Sequence, residues 1–233
     1  MNTAEIDENG FGVLENALDA ETVSGLRRTL AKLPASESVS RKNEAVYGVR
    51  NLLNLAPAIR DFSLSPAVRR IAESLLGEKA RVVRAIFFDK TPGANWKVPW
   101  HQDLTIAVRE KKETAGFAAW TRKAGIEHVQ PPIEILEKMI ALRFHLDDAD
   151  ETNGALKVIP KSHRGGRLGA AEIKLRREAN ETRLCSVKKG DCLIMRPLIL
   201  HASSRGTNPK NRRVIHFECS PDDLPNGLDW YGS

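Results

Sequence analysis

A chain of 233 residues with 41% hydrophobic and 28% charged residues falls in the ordinary range of globular proteins and is long enough for one undivided, well-buried core. Wholesale disorder and a fibrous class are excluded, and no run approaches the roughly eighteen apolar residues of a membrane span. The net charge of +6 arises from dispersed pairs, Arg27-Arg28, Arg176-Arg177, Lys188-Lys189 and Arg212-Arg213, without a basic tract interleaved with aromatics, so a small anionic molecule is a better match than nucleic acid or a membrane.

The first twenty residues carry Glu5, Asp7, Glu8, Glu15 and Asp19, unlike a secretory leader, and a cytoplasmic protein is expected. Residues 20–33 place Val23, Leu26, Leu30 and Leu33 at helical spacing, between Asp19 as N-cap and Pro34 as stop. A second helix is predicted over 66–76, with Pro66 in its first turn and Gly77 beyond its end. After Gly77 strands dominate: 81–89, 98–108, 139–147, 155–159, 184–187, 191–195, 198–202 and 213–219 are β-branched or aromatic runs bounded by turn residues such as Asn153-Gly154 and Lys189-Gly190-Asp191. Residues 110–135 read as a long connection over one end of the sheet, and 170–183 as an exposed helix inserted between strands.

Helices followed by many short strands predict a mainly β fold with flanking α: a double-stranded β-helix, or cupin-like jelly roll, buttressed by N-terminal helices. A single domain over 1–233 is expected, with a helical part at 1–78 and the jelly-roll core at about 80–220. A dinucleotide-binding fold is excluded, because strands and helices do not alternate and no G-x-G-x-x-G opens a helix. Cys185, Cys192 and Cys219, odd in number and widely spaced, read as reduced core residues.

His101 and Asp103 are two apart, which on a strand puts both on one face, able to converge on a cation or to form a surface hydrogen-bonded pair. His201, ending the apolar run Leu198-Ile199-Leu200, is the natural third ligand. Two imidazoles and one carboxylate on one face of an octahedron characterise oxygen-activating non-haem iron.

The segments WHQD at 100–103, HLDD at 145–148, NGALKVIPKSHRGGRL at 153–168, KGDCLIMRPLILHASS at 188–204 and NRRVIHFE at 211–218 together resemble the phytanoyl-CoA dioxygenase family of Fe(II)/2-oxoglutarate oxygenases, over about Val82 to Glu218. The resemblance implies an iron site of His101, Asp103 and His201. It also implies an arginine eleven residues after the distal histidine, here Arg212, gripping the far carboxylate of 2-oxoglutarate, with a hydroxyl at Ser203 nearby. Strand alternation points instead to Arg213, which shares parity with Ile215 and Phe217; the resemblance favours Arg212. Asp103 stands where the halogenase branch has a small residue, so hydroxylation of a small organic substrate with O₂, releasing succinate and CO₂, is the implied reaction. The alternatives are a cupin-like metal enzyme that does not use 2-oxoglutarate and a non-catalytic ligand-binding jelly roll.

Further residues carry two readings each. Lys97 either helps neutralise 2-oxoglutarate or is a solvated turn residue, and Trp96 and Trp100 either wall the pocket or are core and rim. Gln102 points away from the ligand face and is a supporting residue at best. His145 and His216 read as satisfied core histidines, His163 as a loop residue ordering its turn, and His128 as a loop residue that reaches the substrate or does not. A monomer or a homodimer is equally compatible with the sequence.

Overall fold

Asp19 accepts the Thr22 N–H at 2.7 Å and so starts the helix Ala20–Ala31, whose Val23, Leu26 and Leu30 are buried on one side. Ser65 caps Pro66–Leu76 in the same manner and Gly77 ends it at φ 85°. These helices, with the short Leu52–Leu55 and Pro57–Ser63, form the outer layer of the molecule in a computed structural model that describes residues 3–34, 36–42 and 45–232.

The layer beneath is a seven-stranded antiparallel sheet in the order Phe11–Leu14, Cys192–Met195, Ile140–His145, Arg212–Ser220, Arg81–Lys90, Ala45–Val49 and Val39–Lys42. A four-stranded sheet follows the order Arg183–Cys185, Leu156–Val158, His201–Ser203 and Val98–His101. From Arg81 onward most connections carry the chain from one of these sheets to the other, which is the winding of a double-stranded β-helix. The predicted fold class is therefore the observed one.

Three expectations need correction. Residues 1–78 are not purely helical, since Phe11–Leu14 and the hairpin Val39–Lys42/Ala45–Val49 supply strands to both edges of the large sheet. The 98–108 run is two strands, Val98–His101 and Ile106–Val108, interrupted at 102–105. The 110–135 connection contains the hairpin Ala118–Lys123/Ile126–Gln130, which joins Ile106–Val108 in a third sheet. Its outer strand is almost wholly exposed, so it carries little alternation of hydrophobicity, and its turn is made by Ala124 and Gly125 at φ 52° and 75°. Alanine is an unusual residue at positive φ, and the hairpin lacks an Asn-Gly signal.

The large sheet has two unlike faces. Ala85, Phe87, Leu142, Phe144, Ile215 and Phe217 pack with Leu26, Ile59 and Phe62 into the main hydrophobic cluster under the helices. Phe62, Phe144 and Phe217 meet mutually with ring centroids 5.2–5.9 Å apart. The alternate residues Arg84, Arg143, Arg212, His216 and Glu218 line the interior between the sheets. Between the sheets, Ala141, Leu193 and Met195 of the large sheet pack with Leu156, Val158 and Cys185 of the small one, so the barrel interior is apolar at one end and polar around these charged residues.

Candidate metal centre and its cavity

His201 and His101 are direct cross-strand partners in the small sheet, which sets their rings side by side with centroids 4.2 Å apart. Each Nδ1 lies 2.9 Å from the carbonyl two residues earlier in the chain, Pro99 O for His101 and Ile199 O for His201. A carbonyl only accepts, so each Nδ1 carries the hydrogen and each Nε2 presents its lone pair. The strand ends at His101, and Asp103 is held beyond it by its N–H donating to Pro197 O at 2.9 Å. The Asp103 carboxylate spans the two rings, Oδ1 3.6 Å from His101 Nε2 and Oδ2 3.7 Å from His201 Nε2.

Ligand atoms of His101, Asp103 and His201 all fall within 4.8 Å of one another, the donor set and arrangement that suit a single divalent cation. Burial raises the Asp103 pKa, but the imidazoles of His201 and His101 outweigh it and hold the carboxyl ionised, well below the usual range. Burial lowers His201 to about 4 against the pull of Asp103, so its imidazole is neutral at neutral pH.

Gln102 is buried and acts as a clamp. Its Nε2 donates to Leu198 O at 2.7 Å and Gly166 O at 2.8 Å, and its Oε1 accepts the Leu168 N–H at 2.8 Å. It therefore ties the segment bearing Asp103 to those before His201 and after His163. Gln102→Leu strands these three backbone groups and is expected to cost about 2 kcal/mol in urea denaturation, together with weaker metal binding.

A cavity of about 420 Å³ opens over the triad. Arg212 projects into it at 3% exposure, and its Nε and Nη1 have no partner among the described residues. Burial, and then the charge of Arg143, depress it to about 9. Arg213 is on the opposite face, donating to Asp147 through Nε at 2.7 Å and Nη2 at 2.9 Å, while Arg27 of the helix Ala20–Ala31 meets the same carboxylate. The alternation argument for Arg213 fails because Ile215 and Phe217 are buried against the helices rather than in the barrel.

Lys97 is exposed and is not brought to the cavity. The nearby cation is Lys90, the cross-strand partner of Arg212, 1% exposed. Its Nζ donates to Ser203 Oγ and Ser204 O, both at 2.6 Å, and Ser203 Oγ in turn donates to Gly154 O at 2.7 Å. Gly154 sits at φ 79°, and a Cβ there would fall 2.5 Å from Ser204 O and 2.9 Å from Lys90 Nζ, so the Asn153-Gly154 turn packs directly against this group. Burial, then the Arg212 charge, bring Lys90 down to about 7.

Farther along the same strands, Arg84 Nη1 donates to Glu218 Oε1 at 2.9 Å and Arg84 Nη2 to His128 Nε2 at 2.9 Å. Arg143 Nη1 donates to His216 Nδ1 at 2.8 Å. His128 and His216 therefore line the cavity, His128 from a strand rather than a loop; His145 is buried with neither ring nitrogen partnered among the described residues. His163 Nε2 meets Asp7 O at 3.2 Å, as a turn-ordering residue would. Trp96 lines the cavity with Lys90 over its ring, whereas Trp100 packs outside with Arg177 over it. Lys90, Arg84, Arg143 and Glu218 were missed in the sequence. Their signal was alternation: each stands on the strand face opposite the apolar residues of its own strand, Ala85 and Phe87, Leu142 and Phe144, or Ile215 and Phe217.

The fold and these residues define a double-stranded β-helix with a two-histidine, one-carboxylate cluster in its lumen and, beside it, a buried guanidinium with two nitrogens unpartnered among the described residues. The profile of the phytanoyl-CoA dioxygenase (PhyH) family matches residues 6–214, and the chain belongs to that family. It is similar to phytanoyl-CoA dioxygenase 1 of Oryza sativa subsp. japonica, 25% identical over 189 residues, which are 77% of this chain and 57% of the rice protein. Among solved structures it resembles EctD from S. alaskensis (TM-score 0.72, 16% identity, 94% of this chain and 75% of that one). It also resembles SnoK, the carbocyclase of nogalamycin biosynthesis (TM-score 0.69, 16% identity, 97% and 87%). Among the described residues, no helix is long and apolar enough to cross a membrane.

Proposed function

We propose that this chain is an Fe(II)- and 2-oxoglutarate-dependent dioxygenase that hydroxylates a small organic substrate with O₂ and releases succinate and CO₂. The observation that carries the reading is the presence of His101, Asp103 and His201 in one cavity with a buried arginine two of whose side-chain nitrogens have no hydrogen-bond partner among the described residues. His101, Asp103 and His201 would hold the iron through Nε2, a carboxylate oxygen and Nε2. Arg212, with Ser203 and Lys90, would hold the far carboxylate of 2-oxoglutarate, and Lys97 has no part in it. EctD has been crystallised with bound Fe and with 2-oxoglutarate and 5-hydroxyectoine, and SnoK is a non-haem alpha-ketoglutarate-dependent enzyme, which supports the assignment.

When bound, iron and 2-oxoglutarate supply oxygen activation coupled to oxidative decarboxylation; the protein supplies position, charge and shelter. The Nδ1–H bonds to Pro99 O and Ile199 O hold both imidazoles with their lone pairs inward. Arg212 offers a planar fork to one carboxylate, and the buried Lys90–Ser203–Gly154 chain fixes the hydroxyl beside it. Phe88, Ile86, Leu104 and Leu156 exclude water from the remaining space. In this reading the whole chain works as one domain, and its three buried thiols fit a reducing, cytoplasmic setting, as a monomer or homodimer.

The test is anaerobic loading with Fe(II) and 2-oxoglutarate, followed by air. A visible charge-transfer band and release of succinate are expected; a folded, iron-binding protein that gives neither would overturn the proposal. Lys90 adds a pH signature. A dianionic ligand beside it favours the charged amine, so affinity for 2-oxoglutarate is expected to fall as the pH rises through about 7, the value for free Lys90. Measured KM for 2-oxoglutarate between pH 6 and 9 should climb in the wild type and stay flat in Lys90→Met.

A further inference from the structure

The cavity carries more positive charge than 2-oxoglutarate uses. Arg50, Arg84, Lys123, Arg143 and Arg212 line it, against the carboxylates of Asp103 and Glu218. These cations do not form one group. In the register of the two central strands Arg212 faces Lys90 and Glu218 faces Arg84, so the two pairs lie six residues apart, about 20 Å at the rise of an extended strand. A molecule as short as 2-oxoglutarate, chelated at the triad and gripped by Arg212, does not reach the second group.

At that far end Arg84 is already committed to Glu218 and His128. Since an arginine only donates, His128 Nε2 accepts, and its Nδ1–H turns to Ile126 O at 3.0 Å. Burial and the Arg84 charge bring His128 down to about 4, so it contributes no charge. Arg50 and Lys123 stand on the exposed rim of the same end and make no ion pair among the described residues. Burial first and then the Arg84 charge lower Arg50, and Lys123 and Arg50 add to the burial and the Arg84 charge that lower His128, so the three cations that line this end share one region. Glu218 and His216, on the wall leading inward, feel the charge of Asp103, which connects this end to the triad.

We infer that the substrate carries an oxyanion group, a carboxylate or a phosphate, received by Arg50 and Lys123 at the rim with Arg84 behind them, and that its reacting carbon lies inward toward the triad. This rests on the dioxygenase reading and names the substrate class for it. A neutral or cationic guest would leave the excess positive charge of a half-enclosed space unanswered, whereas an anion neutralises it and meets guanidinium and ammonium donors at the entrance. The volume of about 420 Å³ must also hold the cosubstrate, so the inward part of the molecule is small.

The test uses the full chain loaded with Mn(II) and 2-oxoglutarate under calorimetry, screened with small carboxylic acids, their primary amides, phosphate monoesters and the parent alcohols. Acids or phosphate esters are expected to bind about tenfold or more tightly than their neutral partners, and the two arms distinguish the two oxyanions. In Arg50→Ala/Lys123→Ala, checked for folding by its thermal midpoint, the preference should shrink to about threefold or less, the residue left by Arg84. Neutral compounds binding as well as their anions, or a preference unchanged in the double variant, would overturn the inference. The dioxygenase reading fails separately, by absence of the charge-transfer band in the wild type without any screened compound.

Discussion

Asp103→Ala is expected to remove 2-oxoglutarate turnover by more than about 100-fold, since even groups that only orient a metal ligand are worth 10–100-fold. The carboxylate is the one anionic donor of the cluster and bridges both imidazoles, at 3.6 and 3.7 Å. Without it two imidazoles remain, their mutual spacing set by the sheet, with no anionic ligand to balance a divalent charge. The fold should survive, because Asp103 stands beyond the end of its strand with its side chain on the cavity and outside the apolar clusters. Succinate release and the visible band of the Fe(II)–2-oxoglutarate complex are the two readouts. A variant that keeps the band at wild-type intensity would show that the carboxylate is not a ligand.

Arg212→Met should separate function from stability. Removing one partner of a buried, hydrogen-bonded charge pair costs about 2–5 kcal/mol, or roughly 30-fold to several thousand-fold in the KM for 2-oxoglutarate. In the protein without ligand the same side chain is a liability: it is 3% exposed, two of its nitrogens lack partners among the described residues, and burial pushes it down to about 9. An apolar residue of similar length removes that desolvation cost, so the thermal midpoint of the ligand-free variant should rise rather than fall. Added 2-oxoglutarate should then raise the midpoint of the wild type and not of the variant. Arg213→Ala is the control: it breaks the ion pair with Asp147 on the outer face and should leave the KM unaltered. A lowered midpoint in Arg212→Met would assign Arg212 a structural part instead.

The helices and most core strands were legible because their signals are local. Caps at Asp19 and Ser65 and β-branched runs such as Arg81–Lys90 do not depend on what packs above them. The triad was legible by a different route, since the spacing of His101 and Asp103 alone favours a surface pair and the surrounding motifs carry the assignment. The strand geometry first used for that pair does not hold at Asp103, which lies in the segment after the strand. What sequence periodicity could not resolve was which face of a strand is the inside. Ile215 and Phe217 mark a buried face, but a barrel wrapped by helices has two, and burial by itself does not say which belongs to the lumen. Nearness in sequence to His101 does not bring Lys97 to the cavity, whereas the register with Arg212 sets Lys90 against Ser203.

The separation of the two faces of the large sheet bears on how such a protein diversifies. The largest apolar cluster lies on the side where aromatic rings meet the helices, and two others pack beyond the charged part of the chamber. Ile86 and Trp96 line the chamber and belong to none of these clusters, so exchanging them should alter the reacting group that is admitted at a smaller cost to the fold than exchanging Leu104, which packs in one. A scaffold arranged in this way lets new chemistry be explored from the inside without first being re-stabilised from the outside.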